Sequence, residues 1–562
     1  MTAKSASGTG GKAGSGARDG AAARAHRGLP VAVVLAAAAA AQPGCSNKTM
    51  ITVKVVTPPG AADPFMNATM ARLTLGDKQN AAAVTSGKFE VNVDIDAPAM
   101  TDLLQVVVEA LDGSGAVVGR GQSPKFDPTN TEIAVFVNRQ GQVGATELRL
   151  PDDVLTVGSA RGRRDLMGAA LIGRQVSPPE PAIGALLVGG AADDGSLPNE
   201  ALIYRVLTHQ IIDAGAPSSA GAPSVPRRGG VLIPSADTVA SQQALVWGGS
   251  TTGGTLLTTA DKFDPGVSTL AMVWGHPDAQ YADAGPPGAY APSAGQVGAM
   301  TLVCGGTGVA PGQMTGDPQL AQAVLVKRNA APTDSADQSS RLGVTRIPAD
   351  KDGNGPMQAA RYQHSVTAVG DASAALIFGG LSATDSAAGS KPVAELFTIG
   401  TNAFVPFTFM PAAMTPASRR GHIAARLRNG QILIGGGFSY DIAGQKTVLG
   451  SALIIDTAAH TVQTIPQASF LKTPRYAATV TQTGGELVIC GGFDMADKAI
   501  ADCEPFSLDT AMPTRPVIPL PSGRAGHLAL TLENGLTLLV GGVDQSGSAQ
   551  SSVDIYTTLA LP

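Results

Sequence analysis

Four cysteines, two tryptophans and an aromatic fraction of 4% are thin provision for a chain of 562 residues. So few cysteines exclude a disulfide-dense secreted scaffold. So few aromatics leave little for a surface that stacks bases. Charge is sparse too: 15% of residues are charged, the net charge is −5 and no basic stripe occurs, which argues against a nucleic-acid partner. No apolar run reaches the length that a membrane-spanning helix needs. What the chain has in quantity is glycine (69) and proline (39), beside a hydrophobic fraction of 44%. That mixture favours many short strands and turns over long helices. The length requires several domains or a repeat array in place of one ordinary core.

The first 45 residues differ from the rest. Residues 1–28 are small, polar and basic, with Lys4, Lys12, Arg18, Arg24 and Arg27; the apolar run Val31 to Ala41 follows, then Gln42-Pro43-Gly44-Cys45. A basic segment, a short apolar segment and a small-residue exit are the layout of a secretory signal. Cys45 behind Gly44 resembles the modified cysteine of bacterial lipoproteins, although Gln42 and Pro43 depart from the usual Leu-Ala/Ser. The resemblance implies an exported protein of the outer membrane or cell surface, held to the membrane through lipid on Cys45. Cleavage after Ala41 is the alternative, and gives a periplasmic or secreted protein.

Residues 50–140 carry short β-branched runs: Ile51 to Val56, Ala71 to Leu75, Phe89 to Ile95, Leu104 to Leu111 and Thr131 to Asn138. Several alternate apolar and polar residues as half-buried strands do, and Asp112-Gly-Ser-Gly115 is a hairpin signal. Strands at this density predict a β-sandwich of immunoglobulin-like type, without the Cys-Trp-Cys core signature. A stalk or spacer is its expected role.

From about residue 145 to 562, self-similarity dominates. An apolar run closes on a glycine pair seven times: Gly189-Gly190, Gly248-Gly249, Gly305-Gly306, Gly379-Gly380, Gly435-Gly436 (within a triple that ends at Gly437), Gly491-Gly492 and Gly541-Gly542. Upstream of several pairs stands an arginine, followed in three copies by a histidine: Arg361 with His364, Arg419 with His422, Arg475 with no histidine, and Arg524 with His527. The segment Pro226-Arg-Arg-Gly-Gly230 is a weaker copy and Arg163 a doubtful one; the third unit lacks the arginine, having Ser293 to Met300 in that region. A third strand, such as Ala452 to Thr457 or Pro505 to Thr510, and a fourth, such as Val517 to Pro521, follow each pair.

Four strands per unit at this period describe a propeller blade, and the motif resembles the kelch repeat. The resemblance covers residues 145–562 and implies an all-β protein with a propeller of seven blades, or six if the first or third unit is not a blade. It departs from kelch in lacking the tryptophan late in each repeat. The last unit has a third strand, Ser552 to Thr558, and no fourth after it. Thr146 to Pro151, just before the first unit, resembles a fourth strand and is expected to complete the last blade, hiding the open edges.

A residue repeated once per blade reads as structural, so the arginines and histidines are expected to bond neighbouring backbone, with no catalytic or metal-binding role. Cys490 ends a second strand and Cys503 begins the next, which makes a disulfide between them one expectation; Cys304 has no such partner in its unit and reads as a small buried residue. Galactose-oxidase-like proteins share a kelch-type propeller after a β-sandwich and bind copper, but no set of copper ligands is found here, and no cofactor is expected. The loop acids Asp193, Asp194, Asp494 and Asp544 need no catalytic explanation. The reading is a binding module for a protein or glycan at the cell envelope, through loops on one propeller face. Long Ala/Pro/Ser-rich segments, Asp213 to Pro226 and His276 to Gly295, would decorate those faces. An extracellular carbohydrate-active enzyme, a copper oxidase or a sugar mutarotase, is the alternative of a different class.

Overall fold

The computed structural model of the chain describes residues 33–35, 51–91, 103–127, 132–151, 160–171, 184–198, 200–213, 225–234, 244–258, 260–264, 269–274, 288–309, 319–327, 344–347 and 356–558. Cys45 and most of the signal-like segment lie outside these residues, as do most of the segments 213–226 and 276–295. The described chain is all-β, with one α-helix, Ala383–Ala388, and a few short 3-10 turns. No helix among the described residues is long and apolar enough to cross a membrane.

Two sheets precede the repeats. In one, Thr52–Val56 lies between Val33–Leu35, antiparallel, and Glu132–Phe136, parallel. The other orders Lys78–Ala83, Met70–Leu75, Val106–Leu111 and Val117–Gln122, all antiparallel. Val53, Val55 and Ile133 from the first sheet share one core with Leu73, Val106 and Val108 from the second. The expected strand at Phe89 to Ile95 is not found at Phe89–Val91, and the rest of it lies outside the described residues. Three strands are additional, the first being Val33–Leu35, which lies within the apolar run expected to belong to a signal. Lys78–Ala83 is largely exposed and alanine-rich, and Val117–Gln122 contains two glycines, so neither shows the alternation that marks a strand in sequence. Gly121 is required by packing: a Cβ there would lie 2.1 Å from the Phe136 carbonyl oxygen.

The repeat region holds seven four-stranded antiparallel sheets. Their first strands are Met167–Leu171, Val231–Pro234, Ser293–Val297, Ser365–Val369, Ile423–Arg426, Thr479–Thr483 and Leu528–Thr531. Second strands such as Gly184–Val188, Glu486–Cys490 and Leu536–Val540 are buried at every residue. Both of their faces are covered by neighbouring sheets, hence the unbroken apolar runs in the sequence. The first strands of sheets three to seven touch in succession, as do those of sheets one and two, and the first strand of sheet seven touches that of sheet one.

The seventh sheet comprises Leu528–Thr531, Leu536–Val540, Ser552–Thr557 and, from before the repeats, Gln142–Arg149. The chain therefore does complete this sheet from upstream. The strand begins at Gln142, ahead of the expected Thr146, and its register shifts between Ser552 and Asp554. Gln122 and Asn534 exchange amide bonds to each other's carbonyls, at 3.2 and 3.1 Å, and so fasten the N-terminal sheets to the seventh.

Three further boundaries are corrected. Ser293 to Met300 is not the third unit's counterpart of the arginine segment; Ser293–Val297 is the first strand itself, and the counterpart is Ala289 upstream. In the glycine triple the working pair is Gly436-Gly437, because Gly435 still belongs to the strand. The sixth unit's third strand is Asp502–Ser507, earlier than Pro505 to Thr510, with Cys503 near its start as expected.

Candidate functional site

One end of the sheets is assembled from the repeated motif. The second glycine of each pair donates its N–H to a carbonyl in the next unit: Gly190 to Arg227, Gly249 to Ala289, Gly306 to Arg361, Gly380 to Arg419, Gly437 to Arg475 and Gly492 to Arg524, all at 2.8–3.0 Å. The series returns to its start with Gly542 donating to Arg163 at 2.9 Å. This close approach is what demands glycine. A Cβ on Gly189 would sit 2.1 Å from the Arg227 carbonyl oxygen, and one on Gly491 2.1 Å from that of Arg524.

The same arginines are used at their other end as well. Each guanidinium turns back into its own unit and donates to the first glycine's carbonyl: Arg163 to Gly189, Arg227 to Gly248, Arg361 to Gly379, Arg419 to Gly436, Arg475 to Gly491 and Arg524 to Gly541. Five of the six also meet an acid at or just before the third strand: Glu200, Asp261, Glu395, Glu504 and Asp554. Arg419 bonds Ser451 in place of an acid, and burial holds its pKa down to about 10. Arg163 and Arg227, the doubtful and weaker copies in the sequence, are fully buried like the rest. The third unit has lost both partners together. Ala289 replaces the arginine, and Val324, paired with Val303 as Asp554 is with Leu539, replaces the acid. A small cavity of about 20 Å³ remains there, lined by Ala289, Val324, Val303, Trp247 and Gln322.

The histidines are not brought together. Each crosses to the preceding unit, where His422 Nε2 shares a hydrogen bond with Ser365 at 2.9 Å and His527 Nε2 with Thr479 at 2.9 Å. His364 takes the Cys304 thiol at 3.3 Å and its carbonyl accepts from Ser293 at 2.7 Å. Burial, seconded by the adjacent arginine, holds His422 down to about 3 and the other two well below 6.5, so all three are neutral. Cys304 is buried, and burial pushes its thiol up. Cys490 and Cys503 form a disulfide across the second and third strands of unit six. No cluster of three or more metal-ligating side chains occurs among the described residues. Of the loop acids, Asp194, Asp494 and Asp544 accept main-chain N–H bonds within their own turns.

Sequence reading missed what surrounds this framework. Two residues beyond the arginine position stands a residue of left-handed conformation in every unit: Asp165, Gly229, Ala291, Gln363, Gly421, Ala477 and Gly526, with φ between 47° and 62°. Their main chains are linked from unit to unit, Gly229 to Asp165, Ala291 to Gly229, Gly421 to Gln363, Ala477 to Gly421 and Gly526 to Ala477, at 2.6–3.2 Å. Only two of the seven positions, in units one and four, carry long polar side chains, so no motif is visible along the chain.

Between the arginine position and this turn lies a third equivalent position, whose occupants are Arg164, Arg228, Tyr290, Tyr362, Arg420, Tyr476 and Ala525. Six of these residues pair with the residue just after the glycine pair, and Tyr362 donates its N–H to Gly380 itself, which sets all seven at the same end of the sheets. They form a collar of cations and phenol rings. The Arg420 guanidinium lies between Tyr362 and Tyr440, 5.9 and 5.7 Å from the ring centroids. Lys446 Nζ stands 4.0 Å from the Tyr476 centroid and 2.8 Å from Asp497, to which the Tyr476 hydroxyl also donates at 2.6 Å. The Tyr290 hydroxyl donates toward the Asp165 carboxylate, two units away; burial, together with that charge, pushes its pKa up. Arg164 is 3.8 Å from Asp193. Arg228 has no hydrogen-bond or ion-pair partner for its side chain among the described residues, and its Nε is buried.

Neither protein-family models nor curated proteins give a match to this chain.

Proposed function

We propose that residues 142–558 form a kelch-like β-propeller of seven blades, carried behind a β-sandwich. In this reading the chain is an exported, lipid-anchored binding module of the cell envelope that takes a glycan at the collar end. The observation that supports the propeller is the run of glycine-to-carbonyl bonds through seven units and back to Arg163. A four-stranded sheet whose last strand comes from the other end of the region fits ring closure, in which no edge is left to template aggregation.

The collar supports the binding role. Its residues occupy equivalent places in a rigid frame but differ from unit to unit, whereas the repeated arginines, glycines and histidines are consumed by bonds within the frame. Tyr362, Tyr440 and Tyr476 are half-buried and offer ring faces for sugar C–H surfaces. Asp165, Asp497 and the arginines offer the hydrogen-bonding groups that orient hydroxyls. Such a mixture suits a saccharide better than an apolar protein patch.

The test is equilibrium binding of the purified ectodomain to a panel of immobilised oligosaccharides, with Tyr362→Ala and Tyr476→Ala beside the wild type. The reading requires at least one ligand whose binding both substitutions weaken while the far-ultraviolet spectrum stays that of the folded wild type. Binding that ignores both tyrosines would remove the collar from consideration. Membrane fractionation of Cys45→Ser tests the anchor: the variant is expected to leave the membrane fraction.

A further inference from the structure

The charges of the collar do not balance locally. Lys446 has Asp497 as counter-charge, Arg164 lies near Asp193, and Arg420 is stacked between two rings. Arg228 has none of these: no acid or hydrogen-bond acceptor meets its guanidinium among the described residues, and its Nε is already removed from water. Its neighbour in the next unit, Tyr290, is committed to Asp165 and feels the Arg228 charge. A half-buried guanidinium without a partner is costly to hold in a fold, and its planar fork matches a carboxylate in two parallel bonds.

We infer that the collar's ligand is an acidic saccharide, with a uronate-type carboxylate seated on Arg228 and sugar rings against Tyr362 and Tyr476. The inference rests on the glycan-binding reading above and supplies its ligand class. Asp165, which already accepts from the Tyr290 hydroxyl, then serves as acceptor for a sugar hydroxyl as well. Saccharide is chosen over acidic peptide because the same collar carries the half-buried rings of Tyr362 and Tyr476 in units four and six, and an extended peptide carries few flat C–H surfaces to cover them.

The experiment uses the whole ectodomain and oligogalacturonate, with its methyl ester as the neutral control of identical ring shape. Poly-glutamate represents the peptide class. The acid form is expected to bind at least about tenfold more tightly than the ester, and to weaken as salt rises from 50 to 500 mM. Arg228→Gln is expected to erase that preference and Arg228→Lys to keep part of it. Because the side chain makes no hydrogen bond or ion pair among the described residues, neither variant is expected to lower the urea midpoint. Equal binding of acid and ester, with dependence on Tyr362 and Tyr476 intact, would overturn this inference and leave the glycan-binding reading standing. Binding of poly-glutamate through Arg228 without oligogalacturonate would overturn the saccharide assignment. An acid preference that survives Arg228→Gln would move the carboxylate elsewhere and equally overturn it.

Discussion

The arginine of the last unit gives the sharpest quantitative test of the frame. Arg524 and Asp554 have side-chain exposures of 0% and 3% and meet at 2.5 Å. Arg524 also donates to the Leu539 and Gly541 carbonyls and to Ser552. Burial is the largest influence on both partners: it raises the pKa of Asp554 and lowers that of Arg524, and their mutual attraction only opposes it. Such a pair adds little net stability, yet breaking it is expensive. Arg524→Met keeps most of the stem's volume but strands a buried carboxylate, at an expected cost of about 3–5 kcal/mol. Arg524→Met with Asp554→Val copies the third unit, where Ala289 faces Val324. It forfeits chiefly the carbonyl bonds, about 1–2 kcal/mol. The double variant should therefore be more stable than the single one by about 2 kcal/mol.

Urea unfolding followed by far-ultraviolet circular dichroism measures this directly. A pH series adds a second reading. In Arg524→Met the folded-state pKa of Asp554 rises further above its ordinary 3.8. A carboxyl raised in this way loses stability as pH rises through the folded value and regains it as pH falls toward the unfolded one. The deficit relative to wild type should thus shrink in acid for the single variant and stay level for the double. A double variant no more stable than the single would refute the coupling on which this account of the motif rests.

Other outcomes are expected from the same frame. Cys490→Ser with Cys503→Ser should cost roughly 3 kcal/mol, given the 13-residue separation, read as a shift in urea midpoint that dithiothreitol reproduces in the wild type. His422 is held at about 3, so the stability it contributes is complete above pH 6.5 and is lost as pH falls below it, by about 1.4 kcal/mol per pH unit. His422→Gln should flatten the wild-type acid slope by that share, and an unchanged slope would contradict burial of the ring. Deleting residues 1–150 leaves Ser552–Thr557 without its partner strand. The shortened chain should self-associate in size-exclusion chromatography with light scattering, and a synthetic peptide of residues 140–151 should return it to monomer. A monomeric truncation would argue that the edge is covered in another way.

The glycine pairs and the clear arginines were legible in the sequence because their physical demands admit one residue type each. No Cβ fits beside the next unit's carbonyl, and no other side chain reaches both the glycine carbonyl and a third-strand acid. Arg163 and Arg227 were undervalued because the residues around them differ from the other copies, although the acids Glu200 and Asp261 that answer them were present. The third unit was misplaced for a related reason. With Ala289 for arginine and Pro292 in the histidine's place, Ala289-Tyr-Ala-Pro292 resembles no other copy, and it is the bonds from Gly249 to Ala289 and from Ala291 to Gly229 that identify it. The completing strand was found by its resemblance to other fourth strands, but its start was set too late because Gln142 to Gly144 have little apolar character. The collar was invisible: arginine, tyrosine and alanine at one equivalent position make no motif.

That last failure bears on where function resides. The frame fixes one backbone geometry in each unit with two glycines and a left-handed turn, and in six of the seven with a buried arginine; Ser451 stands in for the acid beside Arg419, and in the third unit arginine and acid give way together to Ala289 and Val324. A side chain bonded into the frame cannot also serve a ligand without loosening the join between two units. The collar position lies one residue from the arginine, and its main chain carries the pairing, so its side chain can differ from unit to unit without breaking that pairing. The seven such positions, one in each unit, carry three cations, three phenols and an alanine. Among them, Arg228 is the one whose charge the fold leaves unanswered among the described residues. If recognition depends on it, substituting any buried arginine should lower stability and binding together, whereas substituting Arg228 should lower binding alone.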